Sequence, residues 1–130
     1  DYERHPTSEE HPFVGVEYLR KNTDIDEESI EAILGHATYA GVARKTPLAK
    51  TLFAVDELAG FIVACALVRP TGLEGMRAKS VKKKLKNKNF AAAVSREDIN
   101  IGIQELNIDI DEHINTCIDA IQHSDIEIFI

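Results

Sequence analysis

Apolar residues recur along almost the whole chain with the 3.6-residue period of amphipathic helices; alternation of the strand kind is confined to residues 125–130. Pro12 fits the first turn of a helix, so it predicts a start near His11, an apolar stripe through Phe13, Val14, Val16, Tyr18 and Leu19, and an end near Asn22. After the breaker Asn22-Thr23-Asp24, Asp26 reads as a helix cap, with Glu27 and Glu28 in the favourable first turn. Ile30, Ile33 and Leu34 form the buried face of that second helix, and Gly35-His36 its end. A loop with Gly41 and Pro47 follows, and then residues 47–68, apolar nearly all round, predict a central helix covered on most sides. Arg69-Pro70-Thr71-Gly72 stops it. Shorter helices are expected over 78–87 and over 96–106, the latter capped by Ser95 and weakened by Gly102. Asp109 or Asp111 opens a last helix with Ile114, Cys117, Ile118 and Ile121 on one face. With no internal repeat, no linker and no βαβ pattern, the expected fold class is all-α, a helical bundle, and residues 1–130 are read as one domain.

Composition narrows the function classes. Hydrophobic residues make up 44% and charged residues 28%, the balance of a globular rather than a disordered chain. The longest uncharged apolar run, 58–68, has 11 residues, about half of a membrane span, and no stretch reads as a signal peptide, so neither a secreted nor a membrane-spanning protein is expected. Cys65 and Cys117 make no CxxC motif, and a reducing, cytoplasmic compartment is the simplest reading. The chain opens with Asp1 and has no Met before Met76, which predicts a trimmed product or a fragment.

The net charge of −7 is unevenly spread. Residues 1–35 carry ten acids and three bases, residues 36–96 three acids and twelve bases, and residues 97–130 nine acids and no bases. A basic middle between acidic ends suggests a local anionic ligand and argues against nucleic acid, as does the absence of Trp with only eight Phe and Tyr.

Three groups of residues carry candidate chemistry. Asp56 and Glu57 interrupt the most apolar helix, and a buried carboxylate needs a compensating charge. Three answers stay open: a base such as Lys50, exposure of one acid to water, or a metal ion. His11 opens the first helix and His36 closes the second; a short connection makes the two an antiparallel pair, which puts both imidazoles at the same end. Imidazole with carboxylate suits iron, manganese, zinc or nickel, although His36 also makes sense as a cation at a helix C-terminus and His11 as a polar residue at a helix mouth. His5, His113 and His123 read as solvated surface residues. The third group is lysine-rich: Lys79, Lys82, Lys83, Lys84, Lys86 and Lys88, followed by Arg96. A solvated face is the ordinary reading; recognition of phosphate is the functional one, with Lys79 and Lys83 on one helical face and Arg96 opening the next helix.

Three segments carry a resemblance: Asp1-Tyr2-Glu3 through Glu10-His11, Ala32-Ile33-Leu34-Gly35-His36, and Phe53-Ala54-Val55-Asp56-Glu57-Leu58. Together with Leu67-Val68-Arg69-Pro70, Lys79-Ser80-Val81-Lys82-Lys83 and Phe90-Ala91-Ala92 before Arg96, they resemble the HD-domain metal-dependent phosphohydrolase superfamily, in particular its small predicted hydrolases of the HDIG type. The resemblance implies an all-helical, HD-domain-like fold that binds one or two divalent metals (manganese, iron, magnesium, nickel or zinc) and hydrolyses phosphate esters, often of nucleotides. Under it Asp56 matches the family's final metal-binding aspartate, and His11 and His36 match additional histidines of many members. The His-Asp doublet that names the family, and an earlier His, are missing from these residues. In relatives the doublet lies just ahead of the segment matching Asp1-Tyr2, so an amino-terminally truncated domain is expected, a weak metal binder and a poor catalyst that self-associates if an apolar face is left open. The alternative is a non-catalytic helical domain that binds a nucleotide or a protein partner through residues 79–96.

Overall fold

The structure is a computed structural model that describes residues 1–124. The chain is all-α. Its helices are α1 (Phe13–Asn22), α2 (Glu27–Gly35), α3 (Pro47–Leu67), α4 (Ala78–Leu85), α5 (Arg96–Leu106) and α6 (Ile110–Gln122), with a short 3-10 turn at Thr38–Ala40. No strand occurs among the described residues, and the strand-like expectation for 125–130 lies outside them. No described helix is long and apolar enough to cross a membrane.

The chain divides into two compact units, Asp1–Phe53 and Ala54–Ile130. In the first, α1 packs on α2, and Val16, Ile30 and Ala32 are buried, as are Ala49 and Phe53 from the start of α3. Asp26 caps α2 as expected: its carboxylate accepts from the Ser29 amide at 2.7 Å, satisfying one of the orphan N–H groups of the first turn. At the other end of α2 the Arg44 guanidinium donates to the Gly35 carbonyl at 2.7 Å and lies 3.7 Å over the Phe53 ring. Tyr2, Phe13, Val14 and Tyr18 remain exposed.

The second unit has the larger core. Leu58, Phe61, Ile62, Cys65 and Ala66 of α3 pack with Met76, with Ala78 and Val81 of α4, with Ile99 of α5, and with Ile114, Cys117 and Ile118 of α6. Leu58, Phe61, Ile62 and Ile114 are each 0% exposed, and each such burial contributes about 1.5–3 kcal/mol. Ala54 is the crowded point. A Cβ added at Gly102 would lie 2.7 Å from the Ala54 Cα, so Gly102 is what lets α5 lie against α3. Sequence alone casts Gly102 as a weakness in its helix; the packing makes it the contact that needs no side chain.

The other joints of this unit are polar atoms placed on helix ends. Ser95 caps α5 by accepting from the Asp98 amide at 3.1 Å, and its own amide donates to Glu57 Oε2 at 2.9 Å. Arg77 gives α4 no side-chain cap; instead the Asn115 side-chain carbonyl, from α6, accepts the Ala78 amide at 2.9 Å. Of the two possible caps of α6, Asp109 is the one used, accepting from the Asp111 and Glu112 amides at 3.0 Å each.

Candidate functional site

His11 and His36 meet in the first unit. Their Nε2 atoms are 3.1 Å apart and their rings cross edge to face at 5.1 Å between centroids. The meeting follows from the hairpin: His11 precedes the first turn of α1 and His36 is the C-cap of α2. Each ring is held from behind. His11 Nδ1 is 2.6 Å from Asp1 Oδ1, while Asp1 Oδ2 accepts the Gly15 amide at 2.7 Å. The Asp1 side chain is only 11% exposed. A Cβ at Gly15 would come within 2.8 Å of that carboxylate, so the close approach needs glycine there. The Tyr39 hydroxyl donates to the His11 carbonyl at 2.9 Å, and the Tyr2 ring meets the His11 ring edge-on. His36 Nδ1 is hydrogen-bonded to the Ile33 carbonyl.

These partners decide where the protons are. A backbone carbonyl only accepts, so His36 Nδ1 carries a hydrogen; an ionised carboxylate only accepts, so His11 Nδ1 carries one too. A neutral imidazole protonated at Nδ1 has a lone pair at Nε2. Two neutral rings would therefore aim two lone pairs at each other across 3.1 Å. Something positive between them relieves that: a proton, which makes one ring an imidazolium, or a metal ion. Zinc–imidazole bonds of about 2.0–2.1 Å place two ligand nitrogens roughly 3.3 Å apart on a tetrahedral ion, close to the 3.1 Å observed here. A carboxylate or carbonyl behind each imidazole is also the usual outer support of histidine ligands.

The carboxylates of α3 resolve differently from one another. Of the three open answers, exposure to water is the one that holds for Asp56, which is exposed. Glu57 is half-buried, and its compensation is the Ser95 amide at the N-terminus of α5, where the helix dipole also favours an anion. Among the described residues no group of three or more His, Cys, Asp or Glu is placed to hold a metal. The histidine pair is a two-donor arrangement.

The basic residues also divide. Lys79 and Lys83 are exposed on α4. Lys82 donates to Asp111 Oδ1 at 2.7 Å. Arg96 faces inward: its guanidinium donates to the carbonyls of Ala91 at 2.7 Å, Val94 at 3.0 Å and Asn87 at 3.1 Å, and to that of Phe90, and it lies 4.8 Å over the Phe61 ring. It closes the turn at 87–94, a duty different from the phosphate contact expected of it. His113 corrects another expectation: it is 4% exposed rather than solvated, and its ring Nε2 bonds the Ala54 carbonyl at 2.9 Å. His5 is half-buried beside Glu10, 3.4 Å away. His123 is exposed, with Nδ1 2.7 Å from the Asp119 carbonyl.

Asp1, Gly15, Tyr39 and the Ile33 carbonyl are the members of the site that periodicity does not signal. The one available cue was Gly15, a glycine inside an otherwise regular amphipathic helix, which usually marks a close approach. No family model, curated protein or solved structure matches the chain.

Proposed function

We propose that the chain is part of a metal-dependent phosphohydrolase of the HD type, with the Nε2 atoms of His11 and His36 as two ligands of a divalent metal. The observation that carries this reading is the pair of facing Nε2 atoms at 3.1 Å with both Nδ1 atoms already bonded to acceptors. That arrangement holds two lone pairs in place before any ion arrives, so little is lost in ordering the ligands. Asp1 does two things: it fixes the His11 tautomer, and by accepting the Gly15 amide it ties the ring to the first turns of α1. Ile33 fixes the tautomer of His36 in the same way. When bound, a divalent metal supplies Lewis acidity toward a phosphoryl oxygen and brings the pKa of a water toward neutrality. The substrate class is a phosphate ester, a nucleotide among the options, and the setting is cytoplasmic, to which two free, buried cysteines are suited.

Calorimetric titration with manganese, nickel and zinc tests the reading, read together with imidazole nitrogen shifts. Binding is expected to move both Nε2 resonances and leave both Nδ1 protons in place, and His36→Ala is expected to abolish it. If instead the two rings share a single proton and no metal displaces it at micromolar concentration, the pair is only a clasp between α1 and α2 and the proposal fails. Phosphatase activity on a nucleoside monophosphate, with and without manganese, then tests the reaction itself.

A further inference from the structure

A second site lies wholly in the second unit and does not rest on the histidine pair. The end of α3 and one face of α4 enclose a cleft of about 340 Å³ lined by Cys65, Arg69, Ser80, Lys83, Lys84 and Asn87. Ser80, Lys83 and Lys84 stand at i, i+3 and i+4 on α4, and Asn87 follows just past its end, so one face of the lysine segment is turned to this cleft. Val81, buried on another face of α4, anchors the helix to the core and so fixes the direction of the stripe.

Charge and order both favour an anion. Three of the six lining residues are cationic and none is acidic. Lys83 and Lys84 form no ion pair among the described residues, whereas Lys82 next to them is spent on Asp111. Arg69 is pinned in advance: its Nε donates to the Gly72 carbonyl and its Nη2 to the Glu74 carbonyl, each at 2.8 Å. Lys84 is steered by the Phe90 ring, 4.6 Å from its ammonium. Two of the three cations are thus held before a ligand arrives, which reduces the ordering cost of binding. Ser80 and Asn87 add neutral donors and acceptors suited to phosphate or ribose oxygens. At the floor, burial pushes the Cys65 thiol up to about 11 against the pull of Lys84, Arg96 and Arg69, so it is a neutral wall and not a competing thiolate.

We propose that this cleft binds a phosphate monoester of about mononucleotide size, with Lys83, Lys84 and Arg69 holding the phosphate. The volume falls in the usual range of small-molecule sites, roughly 300–1,000 Å³, and exceeds what an inorganic ion requires.

The test is a titration of the chain at low ionic strength with inorganic phosphate, ribose 5-phosphate and adenosine monophosphate, followed by calorimetry and amide chemical shifts. Shifts are expected at Cys65, Ser80 and Asn87. Lys83→Gln with Lys84→Gln is expected to weaken both organic phosphates by about tenfold or more. Lys86→Gln with Lys88→Gln removes the same charge outside the cleft and is expected to change affinity by less than about twofold, the share of general attraction screened by salt. Far-ultraviolet circular dichroism checks that both variants keep their helices. Tighter binding of the nucleotide than of ribose 5-phosphate assigns the spare volume to the base, and equal binding assigns the site to the sugar phosphate; either upholds the cleft. Equal weakening by the two double variants, or no response at the three lining amides at millimolar ligand, overturns it and leaves a solvated lysine face.

Discussion

In the unit Asp1–Phe53 the groups that lock the helices together are polar: Asp1 on His11 and on the Gly15 amide, His11 on His36, Arg44 on the end of α2. In the unit that begins at Ala54 the lock is mainly apolar, a continuous cluster from Leu58 to Ile118, with polar joints at helix ends, in the turn at 87–94 and in the buried His113 bond to the Ala54 carbonyl. The difference teaches where to look for chemistry. Apolar packing is non-directional and spends no donors, so in a unit that buries a large apolar cluster a polar group such as His113 supplements the lock, whereas in the first unit polar groups link the helix ends directly. A unit that joins two short helices through imidazoles and a carboxylate has put titratable groups at its seam.

Substitutions sharpen this contrast. Phe61→Ala should cost about 3–5 kcal/mol in urea unfolding, because the ring is fully buried and carries both the Phe90 edge contact and the face under Arg96. Arg96→Met should cost about 2–3 kcal/mol by stranding the carbonyls of the 87–94 turn, and Arg96→Lys should restore little of it, since one ammonium cannot serve four carbonyls spread around a planar fork. Gly102→Ala should lose about 1–2 kcal/mol: the gain in helix propensity is outweighed by a Cβ 2.7 Å from the Ala54 backbone. A stabilised Gly102→Ala variant would mean that α5 and α3 are not in close contact there. On the polar side, His36→Ala should cost only about 1 kcal/mol of stability while removing the metal binding proposed for the pair. A large stability loss with metal binding intact would reverse the contrast between the two units.

The smallest effect concerns acid. The Ser29 backbone and side chain hold the Asp26 carboxyl below its ordinary 3.8. Its folded pKa is depressed, so the stabilisation it gives is complete above the unfolded pKa and is lost as pH falls through the folded value. Asp26→Ser keeps a capping oxygen without the titration, and unfolding curves taken from pH 5 down to pH 2 should show a shallower acid-side loss than the parent's.

Much of the architecture was legible without coordinates. The helix over 47–68 appears as α3, Pro47–Leu67, and the caps Asp26 and Ser95 sit where Ser, Asp and their first-turn acids placed them. Even the meeting of His11 and His36 could be reasoned from helix length and a short connection, because an antiparallel pair of equal helices brings its open ends together. These inferences succeed since periodicity, capping and hairpin closure depend on residues close in sequence.

Long-range partners are another matter. That Asp56 faces water while Glu57 meets the Ser95 amide turns on a rotation of about 100° between neighbours on α3, which an all-round apolar helix leaves undetermined. His113 looked like a surface residue because its neighbours Asp111 and Glu112 are charged, yet it points at the Ala54 carbonyl. Lys83 and Lys84 read like their neighbours in a run of lysines; only the packing of Val81 and the position of Cys65 turn them into a cleft. The sequence by itself determined which segments coil and where each coil ends, because those energies are local. Tertiary structure decided which acid finds a backbone partner, that His113 is a buried joint and which lysines line a cleft, because those depend on what lies across a gap of tens of residues.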